Sequence, residues 1–115
     1  MSGGSPFELD PGSPVVLYMR DPKEKVWGIL GSISPAGIVV RGLDIAVFDD
    51  WLRQEMRGEE PLIGLVTSFY PLHRLERMEK DETIGPLLGY ADRFLAEVGR
   101  TVLEASGATR AGEPA

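Results

Sequence analysis

Three short β-branched runs packed into fewer than thirty residues, each cut off by proline or glycine, narrow the possible folds more than any other feature of this chain. In residues 15–20, Val15, Leu17 and Met19 alternate onto one face before Asp21-Pro22 opens a turn, the pattern of a half-buried strand. Residues 26–34 continue the alternation, with Trp27, Ile29 and Ile33 interleaved by Gly28, Gly31 and Ser32. Ser34-Pro35-Ala36-Gly37 is a tight-turn sequence, and residues 38–42 return as a third strand. Glycine inside a strand costs stability unless a bend or a close backbone approach requires it. Gly28 and Gly31 therefore predict a strongly curved sheet, and curvature of that kind belongs to small barrels.

Beyond the third strand the period changes. Phe48, Trp51, Leu52 and Met56 recur at three and four residues, with Asp44, Asp49 and Asp50 near the start, which predicts a short amphipathic helix ended by Gly58. Residues 62–70, rich in Ile63, Val66, Thr67 and Phe69, read as a further strand. In residues 71–80, Leu72, Leu75 and Met78 repeat every three positions, which suits either a helix opened by Pro71 or a strand carrying a bulge. Across residues 81–106, Ile84, Leu87, Leu88, Ala91, Phe94, Leu95, Val98 and Val102 form one apolar stripe. That stripe predicts a single long C-terminal amphipathic helix, with Pro86 tolerated in its first turn. Residues 1–13 and 107–115 hold too few apolar anchors to offset their ordering entropy and read as a flexible arm and tail.

The absence of cysteine excludes disulfides, thiolate zinc sites, iron–sulfur clusters and thiol nucleophiles, so the fold rests on its core. At 115 residues one core is expected. No basic segment followed by an apolar run opens the chain, so the expectation is a cytoplasmic protein without a membrane anchor. The net charge of -6 opposes nucleic-acid binding, but residues 14–80 hold ten acids against nine bases, and most of the excess acid lies outside them.

The succession of strand, glycine-bearing strand, tight turn, strand and further extended segments carries a family likeness, and that likeness, against a propensity that leans to helix, makes residues 71–80 a strand. Val26-Trp27-Gly28-Ile29-Leu30-Gly31-Ser32-Ile33-Ser34 resembles the first motif of the Sm and LSm proteins, with Gly28, Leu30 and Ile33 in its characteristic places. Phe69-Tyr70-Pro71-Leu72-His73-Arg74-Leu75 is similar to the passage from fourth to fifth strand in Sm-like barrels. Over residues 14–80 the resemblance implies a mainly β protein: a small Sm-like (SH3-like) five-stranded barrel, here with a short inserted helix and the added C-terminal helix. It also implies self-association through strand edges, as a homo-oligomer that could close into a ring. The motifs that form the family's RNA pocket are not matched, since Ser34-Pro35-Ala36-Gly37 stands where an acidic residue, a hydrophobic residue and Asn would be, and the later Arg-Gly pair is absent.

Little in the chain points to catalysis. His73 is the single histidine and no nucleophile elbow surrounds any serine. His73 with Glu76 supplies two metal ligands, too few for a site. The pairs Asp49-Asp50, Glu59-Glu60 and Asp81-Glu82 fit helix starts and solvated loops better than acid–base work, and no glycine-rich phosphate loop occurs. Trp27, Trp51, Phe69 and Tyr70 could stack on bases, but without interleaved cations they suit a core or subunit contact. The expectation is a non-enzymatic, cofactor-free binding or adaptor module. The alternative is an RNA binder using Arg41, His73, Arg74 and Arg77.

Overall fold

The computed structural model describes residues 7–107. Five antiparallel strands form one sheet: β1 (Pro14–Met19), β2 (Glu24–Ile33), β3 (Gly37–Asp44), β4 (Val66–Pro71) and β5 (Leu75–Lys80), in the order β4-β3-β2-β1-β5. The sheet is open, with β4 and β5 as its edges, and a closed barrel is not seen. A 3-10 turn, Ile45–Val47, leads into α1 (Phe48–Arg57), and a second, Leu72–Arg74, joins the two edge strands. Two further helices, α2 (Tyr90–Val98) and α3 (Val102–Ser106), follow β5. No helix among the described residues is long and apolar enough to cross a membrane.

The sheet separates two cores. Because strand side chains alternate in direction, Val15, Leu17 and Met19 of β1 face one side with Val26, Leu30, Ile38 and Val40, against which Tyr70, Leu75 and Met78 pack. Val16, Trp27 and Ile29 face the other side, where Phe48, Trp51, Leu52, Phe94 and Val102 cover them. The helices thus close one face of the sheet. Residues beyond the expected strand region also contribute, since Leu9 packs against the first core and Gly12 N–H donates to the Leu30 carbonyl at 2.7 Å.

The three-residue spacing of Leu72, Leu75 and Met78 has a specific origin. Leu72 lies in the 3-10 turn, and β5 pairs Arg77 with Tyr18 but Leu75 with Met19, so one residue is absorbed by a bulge. Leu75 and Met78 consequently both meet the inner core despite their odd separation. Glycine inside the strands answers to close approach rather than to turning. Gly28 is paired with Gly42, and a Cβ on Gly42 would lie 2.2 Å from the Trp27 carbonyl oxygen and 2.8 Å from Gly28 Cα. Gly31 sits where the β2–β3 register shifts between Leu30 and Ser32.

The single helix expected over residues 81–106 is not what forms. Residues 81–89 make a turn closed by reciprocal backbone hydrogen bonds between Ile84 and Leu87, with Gly85 at φ 57° and Pro86 between them. The helical stretch then breaks at Gly99, whose φ of 87° ends α2 in the left-handed region. Thr101 restarts it: its hydroxyl accepts from Glu104 N–H at 3.1 Å while Glu104 accepts from Thr101 N–H at 2.8 Å, a complete capping box. Only part of the predicted stripe is buried. Phe94 and Val102 enter the core, whereas Ile84, Leu87, Leu88 and Leu95 stay exposed.

One carboxylate ties these pieces together. Asp81, at the end of β5, accepts the Trp27 indole N–H at 3.0 Å and the Ala91 N–H at 2.7 Å on Oδ2, and the Tyr90 N–H at 2.8 Å on Oδ1. It therefore caps α2 from outside the helix while fixing the largest side chain of the sheet. Gly89 makes room for this, because a Cβ there would lie 2.6 Å from Asp81 Oδ1. Two ion pairs then hold α1 to the chain after β5, Arg93 with Asp49 and, at 2.7 Å, Arg100 with Glu55. On α1, the buried Gln54 amide donates to the Ile63 carbonyl at 2.7 Å and accepts from Leu62 and Ile63 N–H, clamping the loop that leads to β4.

Gly42→Ala should lower the unfolding free energy by about 3 kcal/mol in urea titrations, as overpacking against backbone does, whereas Gly64→Ala, whose Cβ meets nothing within 4 Å, should stay within about 0.5 kcal/mol of wild type. Asp81→Ala is expected to cost about 3 kcal/mol, by stripping the indole and two helix N–H groups of their acceptor. Hydrogen exchange should show Tyr90 and Ala91 losing protection in that variant.

Candidate functional site

The arginines singled out from the sequence do not share a surface feature. Arg74 is spent on the β1–β2 hairpin: its Nε donates to the Arg20 carbonyl at 3.1 Å, and its Nη2 donates to the Pro22 carbonyl at 2.8 Å and to Glu24 at 3.3 Å. Arg20 reciprocates, donating from Nε to the His73 carbonyl at 3.1 Å. His73 itself is an exposed residue of the 3-10 turn. Arg77 lies over the Tyr18 ring, 3.9 Å from its centroid, and donates to Glu79 at 2.9 Å. Arg41, on β3, is separated from β5 by two strands; its Nε donates to the Ser106 carbonyl of α3 at 2.8 Å and its Nη1 to the Thr67 hydroxyl at 3.1 Å.

Among the described residues no three His, Asp or Glu side chains gather as metal ligands. Members of the acid pairs have structural partners. Asp49 and Asp50 lie in the first turn of α1 and pair with Arg93 and Arg53, and Asp81 is the cap described above. Trp27 and Trp51 are buried, Trp27 in edge contact with Phe48 at 5.0 Å and Trp51 stacked on Phe94 at 4.6 Å. Phe69 and Tyr70 differ from them: Phe69 is exposed on β4, and Tyr70 is half-buried against the inner core.

What the surface does offer lies at the margins of the sheet. The outer side of β4 has no strand against it, and Leu62, Val66, Phe69 and Leu72, along β4 and the segments flanking it, are exposed. The outer side of β5 is equally open, and the turn that follows it presents Ile84 and Leu87 at 73% and 72% exposure, beside Leu88. Large apolar side chains grouped along open strand edges are the usual mark of a surface that another chain covers. A cleft of about 570 Å³ runs between β5 and this turn, lined by Val16, Tyr18, Glu79, Leu88 and Tyr90. A second cleft of about 310 Å³ lies on the opposite flank, between β2–β4 and α3.

In the first cleft, Tyr18 donates its hydroxyl proton to Glu79 at 3.0 Å. The Arg77 hydrogen bond, and after it the Tyr18 one, hold the Glu79 carboxyl below the usual carboxylate range. Burial of the ring, reinforced by the bond to anionic Glu79, pushes the Tyr18 hydroxyl up. Tyr18 and Glu79 are brought together by the β1–β5 register, which local sequence does not encode. Arg41 likewise meets Thr67 through the β3–β4 register, and Leu103 and Ser106 through the docking of α3.

No family model, curated protein or solved structure matches this chain.

The Tyr18–Arg77–Glu79 group should titrate in a defined sense. With its folded pKa depressed, Glu79 contributes stability that is present above its unfolded value and lost as pH falls through the lower folded value. With its folded pKa raised, Tyr18 contributes stability that is present below its ordinary value of about 10 and lost as pH rises through the higher one. Carboxyl-detected NMR should place the Glu79 midpoint on the acid side of an ordinary glutamate, and Arg77→Gln should move it upward. An unmoved midpoint in Arg77→Gln would show that the bond does not persist in solution.

Proposed function

We propose that this chain is a non-enzymatic, Sm-like (SH3-like) small-barrel module that associates with copies of itself and serves as a binding or adaptor protein. The observation that carries the reading is the pair of open edges: β4 and β5 are both unpaired on their outer sides and both bordered by exposed apolar side chains. Joining β4 of one copy to β5 of the next would satisfy both rows of backbone groups and cover Val66, Phe69, Ile84 and Leu87 in one step. Because the two edges differ, such a contact is head-to-tail and closes into a ring when the rotation permits. The strand order and the single 3-10 turn between the edge strands support the resemblance of residues 14–80 to Sm-like proteins.

Light scattering coupled to size exclusion at about 100 µM should return a multiple of the 12.6 kDa chain mass, since interfaces burying about 1,600 Å² persist at that concentration. Val66→Lys combined with Phe69→Lys should yield a folded monomer, because a charge in the interface core is left unpaired. A wild-type monomer would overturn the assembly. Oligo-U or oligo-A binding at low salt, lost when Arg41, Arg74 and Arg77 are all changed to Glu, would move the assignment to RNA.

A further inference from the structure

Arg41 stands apart from the other half-buried arginines. Arg74 and Arg93 each have a carboxylate within ion-pair distance, Glu24 for the first and Asp49 for the second. Arg41 has none among the described residues: its two hydrogen-bond acceptors, the Ser106 carbonyl and the Thr67 hydroxyl, are both neutral. A guanidinium carries five N–H donors, so donors remain after those two bonds. Holding a cation partly out of water without a counter-charge is unfavourable, and an anion beside it would offset that cost.

The surroundings specify what kind of anion. Arg41 lines the cleft of about 310 Å³ between the sheet and α3, and the other walls are mostly apolar, with Ile29, Val39 and Leu103 among them. Gly31, at the β2 register shift, lines the cleft with no side chain to fill it. At ~30 Å³ for each non-hydrogen atom, that space takes a ligand of about ten such atoms. Apolar walls around one fixed cation suit a body of hydrocarbon with a single anionic end, and they exclude strongly hydrated ions such as free phosphate. The planar guanidinium matches a carboxylate in particular.

We infer that the cleft between β2–β4 and α3 binds a small amphipathic carboxylate, with its carboxylate on Arg41 and its hydrocarbon body against Ile29, Val39 and Leu103. The lining of the site comes from one chain, and Thr67 is its member on the β4 edge that the proposed assembly uses.

Octanoate, with ten non-hydrogen atoms, is the probe. In heteronuclear NMR titrations of the full chain, shifts are expected at Arg41 Nε–Hε, Val39, Thr67 and Leu103, saturating below ~10 mM. Octan-1-ol, which keeps the hydrocarbon body and lacks the anion, should bind at least about tenfold more weakly, a comparison that needs no variant. Arg41→Met should lose a similar factor, and Leu103→Trp, which fills the cleft from an exposed position, should abolish binding while leaving the thermal midpoint near wild type. Three results would overturn the assignment: no shifts up to ~10 mM octanoate, equal affinity for octanol, or shifts centred on Tyr18, Leu88 and Tyr90 of the opposite cleft.

Discussion

The carboxylate of Asp81 is the point on which the two halves of the molecule meet. It ends β5, receives the indole N–H of Trp27 from the centre of the sheet, and receives the first N–H groups of α2. Without that acceptor the indole N–H and two helix donors would be left without their partner where protein limits access to water, a cost that hydrophobic contact cannot offset locally. Trp27 in turn organises the aromatic cluster, with Phe48, Trp51 and Tyr90 around it and Phe94 stacked on Trp51. The helix-covered core therefore depends on a polar contact made at its rim.

Two cores on a five-stranded sheet are unusual economy for so short a chain, and they explain where function can reside. One face is covered by the strands' own side chains and Leu9, and the other by three helices. The surface left over consists of the margins: two open edges, and a cleft at each flank where the helices stop short. Edges suit another protein chain and clefts suit small molecules. The arginines follow the same division. Those at β5 and its preceding turn are committed to Glu24 and Glu79, which leaves Arg41 as the half-buried arginine without a described acidic partner.

Much of the strand layout was legible because it is local. Alternation in residues 15–20 and 26–34, and the Ser34-Pro35-Ala36-Gly37 turn, correspond to β1, β2 and the β2–β3 connection within a few residues. The helix at Phe48–Arg57 was equally plain from its period and from Gly58. Residues 71–80 could not be resolved by period, since a 3-10 turn followed by a bulge imitates a helical repeat. The error over residues 81–106 had a readable warning: Thr101 and Glu104 form a capping-box signature just after Gly99, and Gly85-Pro86 is a turn signal. An apolar stripe outweighed them, although a stripe records only spacing and not continuity of the helix.

Sequence alone determined the elements whose information lies within a few residues: period-two runs that must become strands, and one amphipathic helix. Tertiary structure decided every property that depends on register or docking. The pairing of Tyr18 with Arg77 follows from how β1 meets β5, the burial of Gln54 from where the 58–65 loop returns, and the setting of Arg41 from the docking of α3. The physical reason is the same in each case. A charged or polar side chain is given its role by the partner that desolvation forces it to find, and that partner lies outside the local window, 9 residues away for Gln54 and 65 for Arg41.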